Sequence, residues 1–280
     1  MHIIDKIIPL QAMLSPCSAE GQRIALVPTM GNLHAGHLSL VKKAKQVAEK
    51  VVVSVFVNPT QFVQGEDYET YPRTFDEDRE KLAVLETDIL FHPKVDEIYQ
   101  DDSTQNTRII VPALENIFCG LSRPGHFSGV ATVVTKLFNI VQPNVAIFGE
   151  KDYQQLLLIK KIVQDLFLRV EIIGMPTIRE ADGLAMSSRN IYLDTEERKN
   201  APVLYQTLKK TTESINAGNC DYSDLEKESV NTLNQSGFKT EYFSVRDAKT
   251  LGEPGNDDLV ILAAAQLGKA RLIDSVTIRR

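Results

Sequence analysis

Cysteine is scarce in this chain of 280 residues: Cys17, Cys119 and Cys220 are far apart and odd in number. That spacing excludes both a disulfide framework and a CxxC metal site, and it suits a reducing compartment. No apolar run approaches the roughly 20 residues a membrane-spanning helix requires. Residues 1–13 have too little basic character and too short an apolar run for a secretory signal. A cytoplasmic protein with no membrane partner is expected. Positive charge is also in deficit, with 31 Lys and Arg against 37 Asp and Glu and a net charge of −6. A general nucleic-acid binder needs a basic surface to displace counterions, so nucleic acid is not an expected partner. A local basic pocket for a phosphorylated small molecule remains open. The chain also lacks GxGxxG, internal repeats and low-complexity segments.

What is present is the composition of an ordinary soluble globular protein, 43% hydrophobic and 24% charged. The length suits one large α/β domain and a smaller one. Residues 24–27 read as a strand, and 36–50 as a helix with Leu40, Val41, Ala44, Val47 and Ala48 on one face. Residues 51–57, VVVSVFV, have the β-branched content of a strand buried on both sides. The polar stretch 58–71 is too long for a simple connection. Helices are then expected at 76–85, 127–140 and 152–166, and strands at 88–91, 145–148 and 170–173. This alternation predicts a Rossmann-like, mostly parallel sheet flanked by helices, with ligands beyond the carboxyl ends of its strands. After Met175-Pro176 the pattern changes to helices at 196–215 and 222–233 and strands at 241–245, 259–263 and 271–278. The expected organisation is a domain over 1–177 and a smaller α+β domain over 178–280.

The segment from Pro28 to His37, PTMGNLHAGH, follows a predicted strand and opens a helix. A helix N-terminus offers free N–H groups and a positive dipole end to phosphate. Gly36 lets a base or phosphate approach the backbone, and His34 and His37, three apart, project from one side of the turn. Gly31 and Gly36 have the spacing of a GxxxxGK[ST] loop, but His37-Leu38 replaces the Lys-Ser or Lys-Thr that loop needs. The HxGH that remains is the signature of nucleotidyltransferases and class I aminoacyl-tRNA synthetases. Met186-Ser187-Ser188-Arg189 supplies two hydroxyls and a guanidinium for phosphate oxygens, with a turn and mobility from Asp182-Gly183. Gly149-Glu150-Lys151-Asp152 joins a strand to a helix. Gly149 admits ribose or base, Lys151 reaches phosphate, Asp152 caps the helix, and Gln155 lies one turn on. Asn58 and Gln61 suit a hydroxy acid, Tyr71 and Arg73 bring a phenol and a cation to the same cleft, and Arg123 offers a clamp for a carboxylate or phosphate. His126, without a partner visible in the sequence, reads as structural.

PTMGNLHAGH, FVNPTQF, YPRT, RPGHF, GEKDYQQ and READGLAMSSRN, in this order, resemble the pantothenate synthetase family over nearly the whole chain. Ser128 stands after RPGHF where the family often has a basic residue, and YFSVRDA and RLIDS match less sharply. The resemblance implies a ligase that adenylates pantoate with ATP, releases pyrophosphate, and passes the pantoyl group to β-alanine with release of AMP. It assigns ATP to Met30, Gly31, Asn32, Leu33, His34, Ala35, Gly36, His37, Gly149, Glu150, Lys151, Asp152, Ile178, Met186, Ser187, Ser188 and Arg189. His37 is the family's catalytic residue, and His34, Lys151, Ser187, Ser188 and Arg189 are expected to act with it. Gln61 is assigned to pantoate and β-alanine, and Gln155 to pantoate. The resemblance also implies a homodimer, and a second domain that closes over the ATP site. Mg²⁺ is expected to ride mainly on ATP, with no dedicated protein metal site. Rival readings are an enzyme adenylating a phosphate-bearing substrate, a tRNA synthetase, and a nucleotide-binding protein without turnover.

Overall fold

The computed structural model describes residues 1–99 and 106–280. Its chain divides into one unit of Met1–Gly149 with Gln154–Met175 and another of Glu150–Tyr153 with Pro176–Arg280. The contiguous boundary expected near residue 177 does not anticipate that Glu150–Tyr153 groups with the later unit.

The first unit contains β1 (His2–Ile4), α1 (Ile7–Ala19), β2 (Ile24–Thr29), α2 (Ala35–Val47), β3 (Lys50–Val55), α3 (Phe75–Val84) and β4 (Ile89–Phe91). It continues with α4 (His126–Val141), β5 (Val145–Gly149), α5 (Tyr153–Asp165), which starts in the other unit, and β6 (Glu171–Met175). The six strands form one sheet in the order β1-β4-β3-β2-β5-β6, every neighbouring pair parallel. This is the Rossmann-like fold class expected. Val51 to Val55 are all buried, because helices cover both faces of a parallel sheet. Val51, Val53 and Val55, on one face of the strand, pack with Ala25, Val27, Leu33, Val41, Ala44, Val145 and Ile147. From β2 the chain runs outward through β3 and β4, whereas β5 and β6 lie on the other side of β2. The strand order therefore reverses between β2 and β5, and their adjacent carboxyl ends open the crevice where such sheets bind ligands.

The second unit contains α6 (Thr195–Asn200), α7 (Val203–Asn216), α8 (Tyr222–Gln235), β7 (Lys239–Asp247), β8 (Leu259–Leu267) and β9 (Ala270–Ile278). Its strands form an antiparallel sheet in the order β7-β8-β9. Leu204, Leu208 and Leu233 pack with Phe243, Ile261 and Ala263 in its core. The single helix expected over 196–215 is two helices. Ala201 and Pro202 keep helical backbone angles, but Pro202 has no N–H to continue the ladder, so α6 stops and α7 starts afresh. Among the described residues no helix is long and apolar enough to cross a membrane.

Candidate active site

The histidine segment leaves β2 through a turn held by its own side chains. Thr29 Oγ1 donates to the Ser54 carbonyl at 2.8 Å and accepts the Gly31 N–H at 3.2 Å. Gly31 and Asn32 both have left-handed backbones, φ 83° and 49°. A Cβ at Gly31 would sit 3.0 Å from both Asp78 Oδ2 and Val55 Cγ1, so glycine serves conformation and space together. His34 then caps α2: its Nδ1 accepts the Gly36 N–H at 3.2 Å, while His37 Nδ1 accepts the His34 N–H at 3.4 Å. The two rings lie 4.0 Å apart, tilted by 36°. With each Nδ1 accepting, the hydrogen of each neutral ring lies on Nε2, which makes two neighbouring donors at a helix N-terminus.

Gln61 is brought to this segment. Its Nε2 lies 2.9 Å from Met30 Sδ, and its Oε1 accepts from Asn58 Nδ2 at 3.1 Å. Asn58 is only 1% exposed. Its Nδ2 also reaches the Gly129 carbonyl at 3.3 Å, and its Oδ1 accepts from Tyr99 at 2.8 Å and Thr60 Oγ1 at 3.0 Å. Burial, opposed by the bond with Thr60, pushes the Tyr99 phenol above its usual pKa and keeps it a donor. Asn58 is thus a buried scaffold for Gln61, while Gln61 itself is half-buried. Tyr71 is buried edge-on against Phe62. Arg123 turns its guanidinium to Glu66, and His126 is buried between Arg123 and the Gln61 carbonyl. Gln155, half-buried on α5, makes no side-chain hydrogen bond among the described residues. Its neighbour Gln154 is used structurally, bonding the carbonyls of Leu114 and Ile117 and the N–H of Cys119.

In the second unit Lys151 and Ser187 line one narrow cavity with Asn190, Tyr205 and Asp274. Lys151 has no ion pair or hydrogen bond among the described residues, which leaves its charge available to an anion. Glu150–Asp152 is a single 3-10 turn, not the start of α5, and the Asp152 side chain caps no helix among the described residues. Ser187 instead caps the 3-10 turn Ser188–Tyr192, accepting the Arg189 N–H at 3.2 Å. The Met186 N–H meets the Ile178 carbonyl at 3.0 Å, so the two strips expected at ATP are backbone neighbours. The Asp182-Gly183 turn is tied rather than loose: Arg198 forks onto Glu180 and Asp182, each at 2.5 Å. The bond from Arg198, against the effect of burial, holds the Asp182 carboxyl below its usual range. Among the described residues no group of three or more His, Cys, Asp or Glu is placed to hold a metal ion.

The sequence profile described as pantoate-beta-alanine ligase matches residues 2–277. The chain belongs to the pantoate–β-alanine ligase family. It is 49% identical over 280 residues to a pantothenate synthetase of Hahella chejuensis, covering 99% of both chains. It is 51% identical to one of Pseudomonas aeruginosa strain UCBPP-PA14, again covering 99% of both. A crystal structure of the Thermus thermophilus pantothenate synthetase superposes with a TM-score of 0.92 at 42% identity, covering 99% of both chains. A Francisella tularensis pantoate–β-alanine ligase, complexed with beta-gamma ATP and β-alanine, gives 0.84 at 41% identity, with 99% of this chain and 97% of that one covered.

This ligase also uses a residue that no motif reading singles out. Asp78 on α3 is fully buried and accepts the N–H groups of Asn32 at 2.8 Å and Leu33 at 2.7 Å. One turn along α3, Lys81 donates to the Leu33 carbonyl at 2.8 Å. The only sequence signal was an aspartate among the acids at a helix start, where a carboxylate ordinarily faces solvent and the dipole. Asp78→Asn turns an amide NH₂ toward a backbone N–H. It is expected to lower stability by about 2–3 kcal/mol, the worth of a charged hydrogen bond, and to raise the KM for ATP. A wild-type urea midpoint in this variant would contradict the assignment.

Proposed function

We propose that this ligase joins pantoate to β-alanine in two steps through pantoyl adenylate. A pantoate carboxylate oxygen attacks the α-phosphorus of ATP, and the bond to the β-phosphate breaks to release pyrophosphate. The β-alanine amine then attacks the acyl carbon, AMP leaves with the carbon–oxygen electron pair, and the new amide nitrogen gives up a proton. Met30, Gly31, Asn32, Leu33, His34, Ala35, Gly36 and His37 bind the nucleotide from the first unit. Gly149, Glu150, Lys151, Asp152, Ile178, Met186, Ser187, Ser188 and Arg189 are assigned to the same nucleotide. His34 and His37 donate from Nε2, and Lys151, Ser187, Ser188 and Arg189 offset charge that develops on the phosphates. Gln61 contacts pantoate and β-alanine, with Gln155 on pantoate and Asn58 and Tyr71 behind them. Magnesium enters with ATP and lowers the charge of its phosphates. A homodimer, a cytoplasmic location and closure of the second unit over the nucleotide belong to the same proposal.

One observation carries this reading: the amide of Gln61 is held between Asn58 and Met30, so an acid-binding group adjoins the histidine segment. The Francisella tularensis complex, with both beta-gamma ATP and β-alanine, supports it. The test is incubation with ATP, magnesium and pantoate, with and without β-alanine, and identification of products by mass. Pantoyl adenylate and pyrophosphate are expected without the amine, and pantothenate and AMP with it. Pyrophosphate release with no β-alanine-dependent amide would instead favour transfer of AMP to a phosphate-bearing substrate.

A further inference from the structure

The main-chain carbonyl of Gln61 is gripped from α4 and the turn before it. His126 Nδ1 lies 2.7 Å from that oxygen and Arg123 Nη2 lies 3.4 Å from it. A carbonyl only accepts, so the His126 hydrogen is on Nδ1, and Nε2 accepts from Arg123 Nη1 at 2.9 Å. The Nε and Nη2 edge of the same guanidinium forks onto Glu66, with Nη2 at 2.6 Å from Oε2. Glu66 Oε2 also accepts the Val63 N–H at 3.1 Å, within the Gln61 loop. Only 12% of the Arg123 side chain and 20% of the Glu66 side chain are exposed, so this fork is little screened. Burial pushes the Glu66 carboxyl up, but the bonds and charge of Arg123, with the Val63 N–H, outweigh it and hold the group ionised below its usual range.

We propose that Glu66 is a positioning residue for the substrate subsite. Through Arg123 and His126 it brackets the Gln61 backbone and so sets where the Gln61 amide presents itself. The inference rests on the reading that Gln61 contacts pantoate and β-alanine. It departs from the expectation that Arg123 grips a substrate carboxylate or phosphate itself. The two roles have opposite consequences. If Arg123 binds substrate, Glu66 competes for the guanidinium, and removing its charge tightens pantoate binding. If Arg123 is a bracket, removing that charge loosens Gln61 and weakens pantoate binding.

Steady-state kinetics on the full chain separate them, using Glu66→Gln, Arg123→Ala, the double variant and Glu66→Asp, with thermal midpoints recorded. Glu66→Gln is expected to raise the pantoate KM about 10- to 100-fold, the loss of a charge-assisted bond, with the ATP KM unchanged. Arg123→Ala should match it, and the double variant should be no worse than the poorer single, because both break one path. Glu66→Asp keeps the charge but loses reach, and an intermediate pantoate KM is expected even if Glu66→Gln folds poorly. A lower pantoate KM in Glu66→Gln, or single effects that add fully in the double variant, would overturn the bracket. Wild-type protein that forms no pantoyl adenylate would sink the functional reading instead. An active wild type beside a Glu66→Gln variant with unchanged pantoate KM would sink the bracket alone.

Discussion

His37→Ala is expected to lower pyrophosphate release from ATP and pantoate by about 100- to 1,000-fold, the usual cost of losing one preorganised donor at developing charge. The ring's Nδ1 accepts the His34 N–H, so in the proposed reaction Nε2 is the nitrogen that donates to a phosphate oxygen. Its neighbour at 4.0 Å is the similarly oriented His34 ring, and the two form a paired donor at the start of α2. The loss to folding is small by comparison. A helix cap is worth about 1 kcal/mol, and the His37 share of this one is its longer bond. The thermal midpoint should therefore move by only a few degrees while turnover collapses. His37→Gln, whose amide N–H reaches a similar position, is expected to recover part of the rate. A folded His37→Ala protein with near-normal pyrophosphate release would remove this histidine from the mechanism.

Gly129→Ala is expected to damage both fold and activity, although alanine is ordinarily the better helix former by about 1 kcal/mol. A Cβ at Gly129 on α4 would lie 2.1 Å from the Thr60 carbonyl oxygen, 2.5 Å from its carbon and 2.7 Å from the Gln61 nitrogen. These are backbone atoms, and no side-chain rotation relieves the overlap. Either α4 or the 58–61 turn must move by about an ångström, which overpacks a tightly filled interior. The bond from Asn58 Nδ2 to the Gly129 carbonyl is strained by the same shift, and with it the support of Gln61. A loss of about 3 kcal/mol in stability is expected, and a fall of about 100-fold in kcat/KM for pantoate, the known cost of misplacing a group by an ångström. Urea unfolding and pantoate kinetics check the two parts separately. A variant with wild-type values for both would show that the close approach is not needed.

The elements legible in the sequence were those whose signal is local. Residues 51–55 are β-branched and continuous, and they form the buried β3. His34 and His37 are three apart at a strand-to-helix junction, and there they share one helical turn. β1 and α1 carried no comparable signal: α1 leaves Ile8 78% exposed and contains Pro16, so its apolar residues do not mark one clean face. The helical period read over 196–215 runs through Pro202, and in the structure its missing N–H divides that stretch into α6 and α7. Asn58 and Gln61 looked alike as neutral amides, yet one is a buried scaffold and the other a half-exposed contact group.

The chain's order of residues alone determined the fold class, through periodicity, and the resemblance to the family, through six ordered segments from PTMGNLHAGH to READGLAMSSRN. Both are read from neighbours along the chain. Only the tertiary structure decided that Asp78 holds the backbone 46 residues earlier, that Glu66 takes the guanidinium 57 residues later, and that Asn58 reaches the Gly129 carbonyl 71 residues on. Such pairings arise when packing brings distant strand ends together, and a hydrogen bond or a missing Cβ acts over a few ångströms of space, whatever the separation along the chain.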